Sequence, residues 1–208
     1  MGDTVGASHL EDVYTKKKGE REVSWFQENP EPSLELIALA GGTPESAIVD
    51  VGGGASRLVD ALVAKGFRDV SVLDLSPTAL ARAQTRLGGR AAAVAWIVAD
   101  VTTWKPARQY DLWHDRAAFH FLTGRDRQAA YVETLRKALR SGGGAVIGTF
   151  GPEGPETCSG LPVARYDAES LGAVLGSGFS LLHTRRHDHA APWGAVQRFQ
   201  FSIFRYRP

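Results

Sequence analysis

A loop of three glycines and a carboxylate 22 positions further on are the residues of this chain best placed for chemistry. Gly52, Gly53 and Gly54 follow the β-branched run AIVDV, and Asp74 lies near the end of the next such run, DVSVLDL. Glycines lack a Cβ atom, so their backbone can approach a ligand closely and adopt positive φ. A carboxylate at the end of the second strand can accept hydrogen bonds from both hydroxyls of a ribose. The two features together predict a ligand that contains a nucleoside.

The residues around the glycines argue against a dinucleotide. Dinucleotide sites usually read G-x-G-x-x-G, and the last glycine allows tight helix packing beside a pyrophosphate. In this chain Arg57 occupies that last position, and Asp50 before the loop would repel a pyrophosphate. The pattern therefore disfavours an NAD(P)-dependent oxidoreductase.

The candidate residues must be positioned by strands that alternate with helices. Apolar, β-branched runs predict buried strands over 47–51, 69–75, 93–100, 110–115 and 144–150. Helical periodicity predicts helices over 56–66, 76–87 and 125–139. This alternation is typical of an α/β fold with an open, doubly wound, mostly parallel sheet. In such sheets the ligand lies beyond the carboxyl ends of the strands.

The chain after residue 150 follows a different pattern. A Gly/Pro-rich connection over 151–167 precedes a predicted helix over 168–179. Two alternating segments, 179–188 and 195–206, then predict an antiparallel hairpin at the end of the sheet.

Residues 1–45 form a separate N-terminal segment before the domain proper, which we place at 46–208. Trp25 and Phe26 stand just before a proline-broken stretch, and this predicts a lid or cap over the ligand edge of the sheet. Ordinary packing of an N-terminal helix onto the core is an equally favoured alternative. With 208 residues, we expect a single domain overall.

Composition is that of an ordinary globular protein. With 24 Lys and Arg against 23 Asp and Glu, the chain lacks the basic excess typical of nucleic-acid binding. No segment approaches the ~20 apolar residues of a membrane span, and the first residues do not resemble a signal peptide. The single cysteine, Cys158, excludes an internal disulfide and fits a reducing compartment. We therefore expect a cytoplasmic monomer or homodimer that binds neither nucleic acid nor membrane.

Several successive segments resemble the motifs of class I S-adenosylmethionine (SAM)-dependent methyltransferases. VDVGGGAS is similar to the first motif, D/E-x-G-x-G, and VLDLSPTAL and IVADVTTW resemble the second and third. YDLWHDRAAFHFL and LRSGGGAVIGTF match the regions around the fourth and fifth strands. The resemblance covers residues 46–150 and implies a seven-stranded, Rossmann-like sheet. It also implies SAM as cofactor and S-adenosylhomocysteine (SAH) as product.

The resemblance assigns cofactor-binding roles to particular residues. Asp50 would serve the ammonium group of SAM, directly or through water, and Asp74, followed by Leu75, would bind the ribose. Asp100 would accept a hydrogen bond from the adenine amine, with Val101 near the ring. The loop glycines complete the predicted set: Gly52, Gly53 and Gly54.

Candidate catalytic residues follow the fourth predicted strand. Methyl transfer from a sulfonium is an in-line displacement of an already activated group, so a strong general base is often unnecessary. We predict Asp115, His114 and His120 as catalytic residues, with His120 as a base for a thiol, hydroxyl or carboxyl acceptor. The alternative is that His120 is a buried structural residue bonded to a backbone carbonyl.

The same stretch, preceded by SWFQ near the N-terminus, also resembles the seven-strand protein lysine methyltransferases. Asp115 and Arg116 match the first two positions of an Asp-Lys-Gly-Thr-type segment, whereas Ala117 and Ala118 depart from it. His120 stands where that group has a second acid, which weakens the lysine assignment. The Asp/Asn-Pro-Pro-aromatic segment of base-amine methyltransferases is absent, which disfavours base methylation.

Acceptor-binding candidates come from three parts of the chain: Trp25, Phe26, Arg116, Phe119, Arg165 and Tyr166. Cys158 could also supply part of the acceptor wall, but we favour its interpretation as a small apolar filler. The histidines at 183, 187 and 189 have no evident fourth ligand, so we predict no metal site.

We therefore predict a SAM-dependent methyltransferase that acts on a thiol, hydroxyl, carboxyl or amine of a small molecule. A protein lysine N-methyltransferase is the main alternative. An NAD(P)-dependent oxidoreductase and a SAM-binding module without turnover are less favoured.

Overall fold

The fold is a seven-stranded sheet in the order β3-β2-β1-β4-β5-β9-β8, with helices on both faces. The computed structural model describes residues 3–17 and 19–208. Strands β1 to β5 are parallel, and β9 lies antiparallel to both β5 and β8. The strands of this sheet are β1 (Ala47–Val51), β2 (Asp69–Asp74), β3 (Val94–Val98), β4 (Tyr110–Arg116), β5 (Leu139–Phe150), β8 (Phe179–Ala190) and β9 (Val196–Tyr206). The predicted α/β, doubly wound fold with an antiparallel hairpin is confirmed.

Two hydrophobic cores lie on opposite faces of the sheet. One contains apolar residues of the fifth and sixth helices, and the other contains those of the second, third and fourth. Adjacent residues of β1 show the alternation, since Ile48 belongs to one core and Val49 to the other. The helices are α1 (Asp3–Lys16), α2 (Glu31–Leu39), α3 (Leu58–Ala64), α4 (Pro77–Leu87), α5 (Arg125–Ala138) and α6 (Ala168–Leu175). None of the described helices combines the length and apolar character needed to cross a bilayer.

Several element boundaries differ from the sequence predictions. The helix predicted over 168–179 ends at Leu175 because Gly176, at φ 83°, takes a conformation that favours glycine. β5 begins at Leu139 rather than 144, since Leu139 pairs with Tyr110 before a register shift in β4. The predicted Gly/Pro-rich connection contains a small separate hairpin, β6 (Thr157–Cys158) with β7 (Leu161–Pro162).

The N-terminal segment is fastened to the start of α4. The Glu11 carboxylate accepts hydrogen bonds from the hydroxyls of Ser76 and Thr78, and Arg82 donates to the backbone carbonyls of Tyr14 and Lys17. Residues 1, 2 and 18 of the predicted lid lie outside the described residues. These contacts hold α1 beside the carboxyl end of β2.

A partly buried ion-pair network fastens the segment after α1. The Glu20 carboxylate accepts from Arg57 Nη2 (2.6 Å) and Arg86 Nη1 (2.9 Å). Arg86 also donates to Asp60 and to the backbone carbonyls of Ala55 and Ser56, just after the glycine loop. Arg57, the residue that departs from the dinucleotide motif, therefore links the N-terminal segment to this loop.

A glycine in β5 leaves room for a large side chain of the neighbouring strand β9. Gly148 pairs with Phe201, and a Cβ atom on Gly148 would lie 2.7 Å from Phe201 Cδ1 and closer still to Cε1. Phe201 is fully buried and cannot move away cheaply. The Gly148 carbonyl also accepts from the Ala117 amide (2.8 Å), which lies at the carboxyl end of β4.

We expect Gly148→Ala to lower the free energy of unfolding by about 1–3 kcal/mol, because the added methyl overpacks a filled core. The matched control is Gly151→Ala, whose Cβ would meet its nearest atoms at an ordinary 3.7 Å. We expect the control to change stability by less than about 0.5 kcal/mol. Urea unfolding measures both, and equal effects of the two substitutions would contradict the packing explanation.

Candidate active site

A cavity of about 510 Å³ lies at the carboxyl ends of β1, β2 and β4, beneath the N-terminal segment. This is the edge at which open α/β sheets bind their ligands. Strand order reverses between β1 and β4, so the cavity lies at the topological switch point. Its wall includes residues from both halves of the sheet and from outside it: Tyr14, Trp25, Gly52, Asp74, Leu75, Asp100, Val101, Arg116, Ala118, Phe121, Arg127, Cys158, Leu161 and Pro162.

Asp74 lies on one side of the cavity and is held by backbone amides. Its Oδ1 accepts from the Ser76 amide (2.8 Å), and only 8% of the residue is exposed. Burial raises the pKa of Asp74 to about 7, and the nearby Asp50 charge adds to the increase. Hydroxyl donors from a ligand would therefore compensate a carboxylate that is poorly solvated.

The glycine loop beside Asp74 has room only for glycine at each position. A Cβ on Gly52 (φ 68°) would lie 2.6 Å from Ala118 Cβ, and one on Gly53 would lie 2.5 Å from Asp50 Oδ2. At Gly54 (φ 46°) it would lie 3.0 Å from both Asp74 Oδ2 and the Tyr14 hydroxyl. The loop therefore brings its bare backbone against the carboxylate and the cavity.

Asp100 lines the cavity further along, on the same side as Asp74. Its Oδ1 accepts from the Thr102 amide (2.8 Å), and its Oδ2 accepts from Arg127 Nη2 (2.9 Å). Leu75 and Val101 supply apolar wall beside these two carboxylates. An apolar slot with carboxylate acceptors at its edge suits an adenosine group.

Two predicted site residues instead form a buried chain behind the glycine loop. The Asp50 carboxylate accepts from His114 Nδ1 (2.7 Å), and Ser33 Oγ lies 2.9 Å from His114 Nε2. With the hydrogen on Nδ1, His114 Nε2 can accept from the Ser33 hydroxyl. All three residues are at most 3% exposed, and none lines the cavity. The geometry places Asp50 and His114 in support of the loop rather than against a ligand.

Asp115, predicted to be catalytic, is also occupied by structural hydrogen bonds. Its carboxylate accepts from the amides of Ala118 (2.9 Å) and Phe119 (3.1 Å) and from the Tyr131 hydroxyl (2.6 Å). Tyr131 in turn accepts from Trp113 Nε1 (2.8 Å). Burial raises the pKa of Asp115 to about 6, but the residue is fully buried and does not line the cavity. Asp115 fixes the turn after β4.

His120, predicted to be a base, lies in a hydrophobic environment. Its ring packs edge-on against Phe121 (4.6 Å) and Phe150 (4.7 Å). Neither ring nitrogen has a hydrogen-bond partner among the described residues, so the alternative of a bonded carbonyl is also not observed. Burial and the Arg116 charge lower the pKa of His120 to about 3, so the ring is neutral and is not placed to take a proton from a ligand in the cavity.

Arg116 forms the opposite side of the cavity. Its Nη1 donates to the Trp25 carbonyl (2.9 Å), and its guanidinium lies 5.0 Å from the centre of the Phe199 ring. Burial lowers the pKa of Arg116 to about 10. The Trp25 indole donates to the Tyr14 hydroxyl (3.2 Å), which joins the two halves of the wall.

Four of the predicted acceptor-binding residues lie outside the cavity. Phe26 packs against the guanidinium groups of Arg21 and Arg57, and Phe119 is buried beside Tyr131. The Tyr166 hydroxyl accepts from Gln128. Arg165 is exposed and donates to the Gly154 carbonyl and the Glu156 carboxylate. Of the six predicted acceptor-binding residues, only Trp25 and Arg116 line the cavity.

Three wall residues that the sequence did not reveal come from distant segments. Tyr14 lies in α1, and Leu161 and Pro162 lie in the β6–β7 hairpin, which also contributes Cys158. The signal available for the hairpin was the Ser159-Gly160 turn, where both residues have positive φ. Among the described residues, no group of three or more His, Cys, Asp or Glu side chains is arranged to hold a metal ion.

Sequence comparison identifies relatives of this chain. Residues 48–143 match the sequence model of a family described as "Methyltransferase domain". A malonyl-[acyl-carrier protein] O-methyltransferase from Paenibacillus sp. (strain JDR-2) is 31% identical over 117 residues. That match spans 54% of this chain and 41% of the relative, so the chain covers less than half of the relative's length.

Structural comparison finds the same fold in solved methyltransferases. The N-methyltransferase NodS from Bradyrhizobium japonicum WM9, in complex with SAH, has a TM-score of 0.72 at 18% identity and covers 96% of this chain and 100% of its own. A structure from work on the conversion of a disulfide bond into a thioacetal group during echinomycin biosynthesis has a TM-score of 0.74 at 23% identity, covering 97% and 93%.

The Burkholderia thailandensis 1,6-didemethyltoxoflavin-N1-methyltransferase, solved with bound 1,6-didemethyltoxoflavin and SAH, has a TM-score of 0.69 at 18% identity and covers 99% of this chain and 86% of its own. The matched sequence and the shared fold confirm the resemblance seen in the motifs. Residues 48–143 therefore match a methyltransferase domain, and the whole chain has the fold of solved methyltransferases, two of them with SAH bound.

Proposed function

We propose that this protein is a cytoplasmic enzyme that transfers a methyl group from SAM to a small molecule enclosed in the cavity. The observation that carries the proposal is that one cavity has two chemically distinct walls. Gly52 and Asp74 belong to one wall, and Trp25, Arg116 and Cys158 belong to the other, whereas Gly53 and Gly54 lie behind the wall. A cavity of about 510 Å³ suits a cofactor and a small acceptor side by side.

The first wall carries groups that match the parts of SAM. The Asp74 carboxylate would accept from the ribose hydroxyls, and Asp100 would accept from the adenine amine while its other contacts hold it in place. The backbone of Gly52 would face the amino acid head. We assign Asp50 a positioning role, because its carboxylate is bonded to His114 behind the loop.

The second wall contributes shape and exclusion of water rather than a general base. When bound, SAM supplies a methyl group on a positively charged sulfur. A lone pair of the acceptor forms the new bond to the methyl carbon, and the electron pair of the breaking carbon–sulfur bond stays on sulfur. Burial raises the pKa of the Cys158 thiol to about 11, so this wall residue is neutral near pH 7. Trp25 and Phe121 would orient the acceptor by contact.

The geometry favours a small molecule over a protein lysine. Asp115, which would have to hold and deprotonate a lysine ammonium, is saturated by Ala118, Phe119 and Tyr131. The names of the relatives describe an O-methyltransferase and N-methyltransferases, so they support methyl transfer without fixing the accepting atom.

Label transfer tests this function. Purified protein and methyl-tritiated SAM are added to a lysate of the source cell, which is then separated by a small-molecule cut-off filter. We expect label in the filtrate, and a loss of about tenfold to hundredfold with Asp74→Ala, because charged hydrogen bonds to the ribose are removed. Asp69→Ala is the matched control, since Asp69 begins the same strand and pairs with exposed Arg108.

Each other result separates the alternatives. Label retained on protein bands would favour a protein lysine N-methyltransferase. SAH binding without any label transfer would favour a binding module, and failure of the wild-type protein to bind SAH would overturn the proposed function.

Cofactor binding should depend on pH through Asp74. The folded protein holds this carboxyl at a pKa of about 7, and ribose hydroxyls bind the ionised form, so affinity rises with pH. 5′-Methylthioadenosine carries the ribose and adenine without a titrating amino acid head. We expect its Kd to fall about tenfold from about pH 6 to about pH 8. Isothermal titration calorimetry measures this, and a flat profile in the wild-type protein, or the same slope in Asp74→Asn, would contradict the role of Asp74.

A further inference from the structure

The Asp100 carboxylate has one acceptor position left for a ligand. Its Oδ1 accepts from the Thr102 amide (2.8 Å) and the Thr102 hydroxyl (2.7 Å), and its Oδ2 accepts from Arg127 Nη2 (2.9 Å). An ionised carboxylate has about four lone-pair sites, two on each oxygen. Among the described residues these bonds fill both sites on Oδ1 and one on Oδ2. The remaining site therefore lies on the oxygen that Arg127 holds.

Asp100 and Arg127 meet at the surface of the cavity. Both residues line it, and their side chains are 23% and 34% exposed. Arg127 lies in the first turn of α5, and Thr123 and Gly124, just before that helix, line the cavity as well. A ligand donor that takes the remaining site on Oδ2 therefore lies beside the guanidinium.

The pair presents an acceptor and a donor side by side. An ionised carboxylate only accepts, whereas a guanidinium only donates, and its five N–H groups allow it to bond a ligand as well as Asp100. Adenine has the complementary pattern, because its exocyclic amine donates and a ring nitrogen next to that amine accepts. A base with a carbonyl in place of the amine would turn an oxygen toward the carboxylate. Leu75, Val101 and Leu122 supply apolar wall for the faces of a planar base.

We propose that Arg127 is a specificity-determining residue for the cofactor, which donates to a ring nitrogen beside the adenine amine, N1 or N7, while Asp100 accepts from that amine. This inference rests on the proposed function and adds a residue to its cofactor site. Arg127 lies between the segments that resemble methyltransferase motifs, so the resemblance assigns it no role. Its bond to Asp100 also holds the carboxylate in the orientation that the amine needs.

The test measures Kd by isothermal titration calorimetry for SAH, for its two analogues in which carbon replaces N1 or N7, and for S-inosylhomocysteine. We expect the wild-type protein to bind SAH about fivefold to tenfold more tightly than one of the two carbon analogues, because that analogue lacks the nitrogen that Arg127 bonds. In Arg127→Met this ratio should fall to about one. The ratio is the decisive quantity, since loss of support for Asp100 alone would weaken SAH and both carbon analogues alike.

Two further variants make the result specific. Arg125→Met is the matched control, because Arg125 begins the same helix, is exposed and does not line the cavity, and it should keep the wild-type ratio. Arg127→Lys keeps a charged donor but loses the planar guanidinium, so its ratio should fall between those of the wild type and Arg127→Met. It also serves if the methionine variant does not fold.

The outcomes distinguish the inference from the function on which it rests. Equal losses of affinity for SAH and both carbon analogues in Arg127→Met would show that Arg127 only supports Asp100, and would overturn the inference. Wild-type protein that binds both carbon analogues as tightly as SAH, or S-inosylhomocysteine as tightly as SAH, would also overturn it and leave the proposed function standing. Absence of SAH binding in the wild type would reject the proposed function itself.

Discussion

Asp50 and His114 stand on neighbouring parallel strands at the point where the strand order reverses, and a 2.7 Å hydrogen bond joins their buried side chains. The Ser33 hydroxyl, in α2, forms a hydrogen bond with the other ring nitrogen of His114. One series of hydrogen bonds therefore joins two central strands of the sheet to α2. In a low-dielectric interior such a chain is stable only when every member is satisfied. Gly53 must lack a side chain because Asp50 lies directly behind it. The shape of the loop, and the cavity in front of it, therefore follow from this connection.

The cavity is closed by segments that come from outside the sheet. Tyr14 and Trp25 cover one side, and Leu161 and Pro162 cover another. Hydrogen bonds from Arg82 and ion pairs through Glu20 hold the N-terminal part in place.

The sequence allowed the sheet, and the end of the sheet at which the cavity lies, to be predicted because both depend on local patterns. Strand runs, caps and the glycine loop with Asp74 are encoded within short segments. The position of His120 and Asp115 after β4 does not reveal their burial: His120 packs among aromatic rings, and Asp115 ties a turn to Tyr131. Tyr14 could not be foreseen, since only long-range packing brings α1 to the cavity.

A crystal structure of the protein with SAH bound would show directly whether the cavity holds the cofactor against Asp74 and leaves room for an acceptor beside Trp25. We expect the ribose hydroxyls to lie within hydrogen-bond distance of the Asp74 carboxylate, and the sulfur atom to face open space on the side of Trp25. SAH bound elsewhere, or with its ribose away from Asp74, would show that the cavity is not the cofactor site.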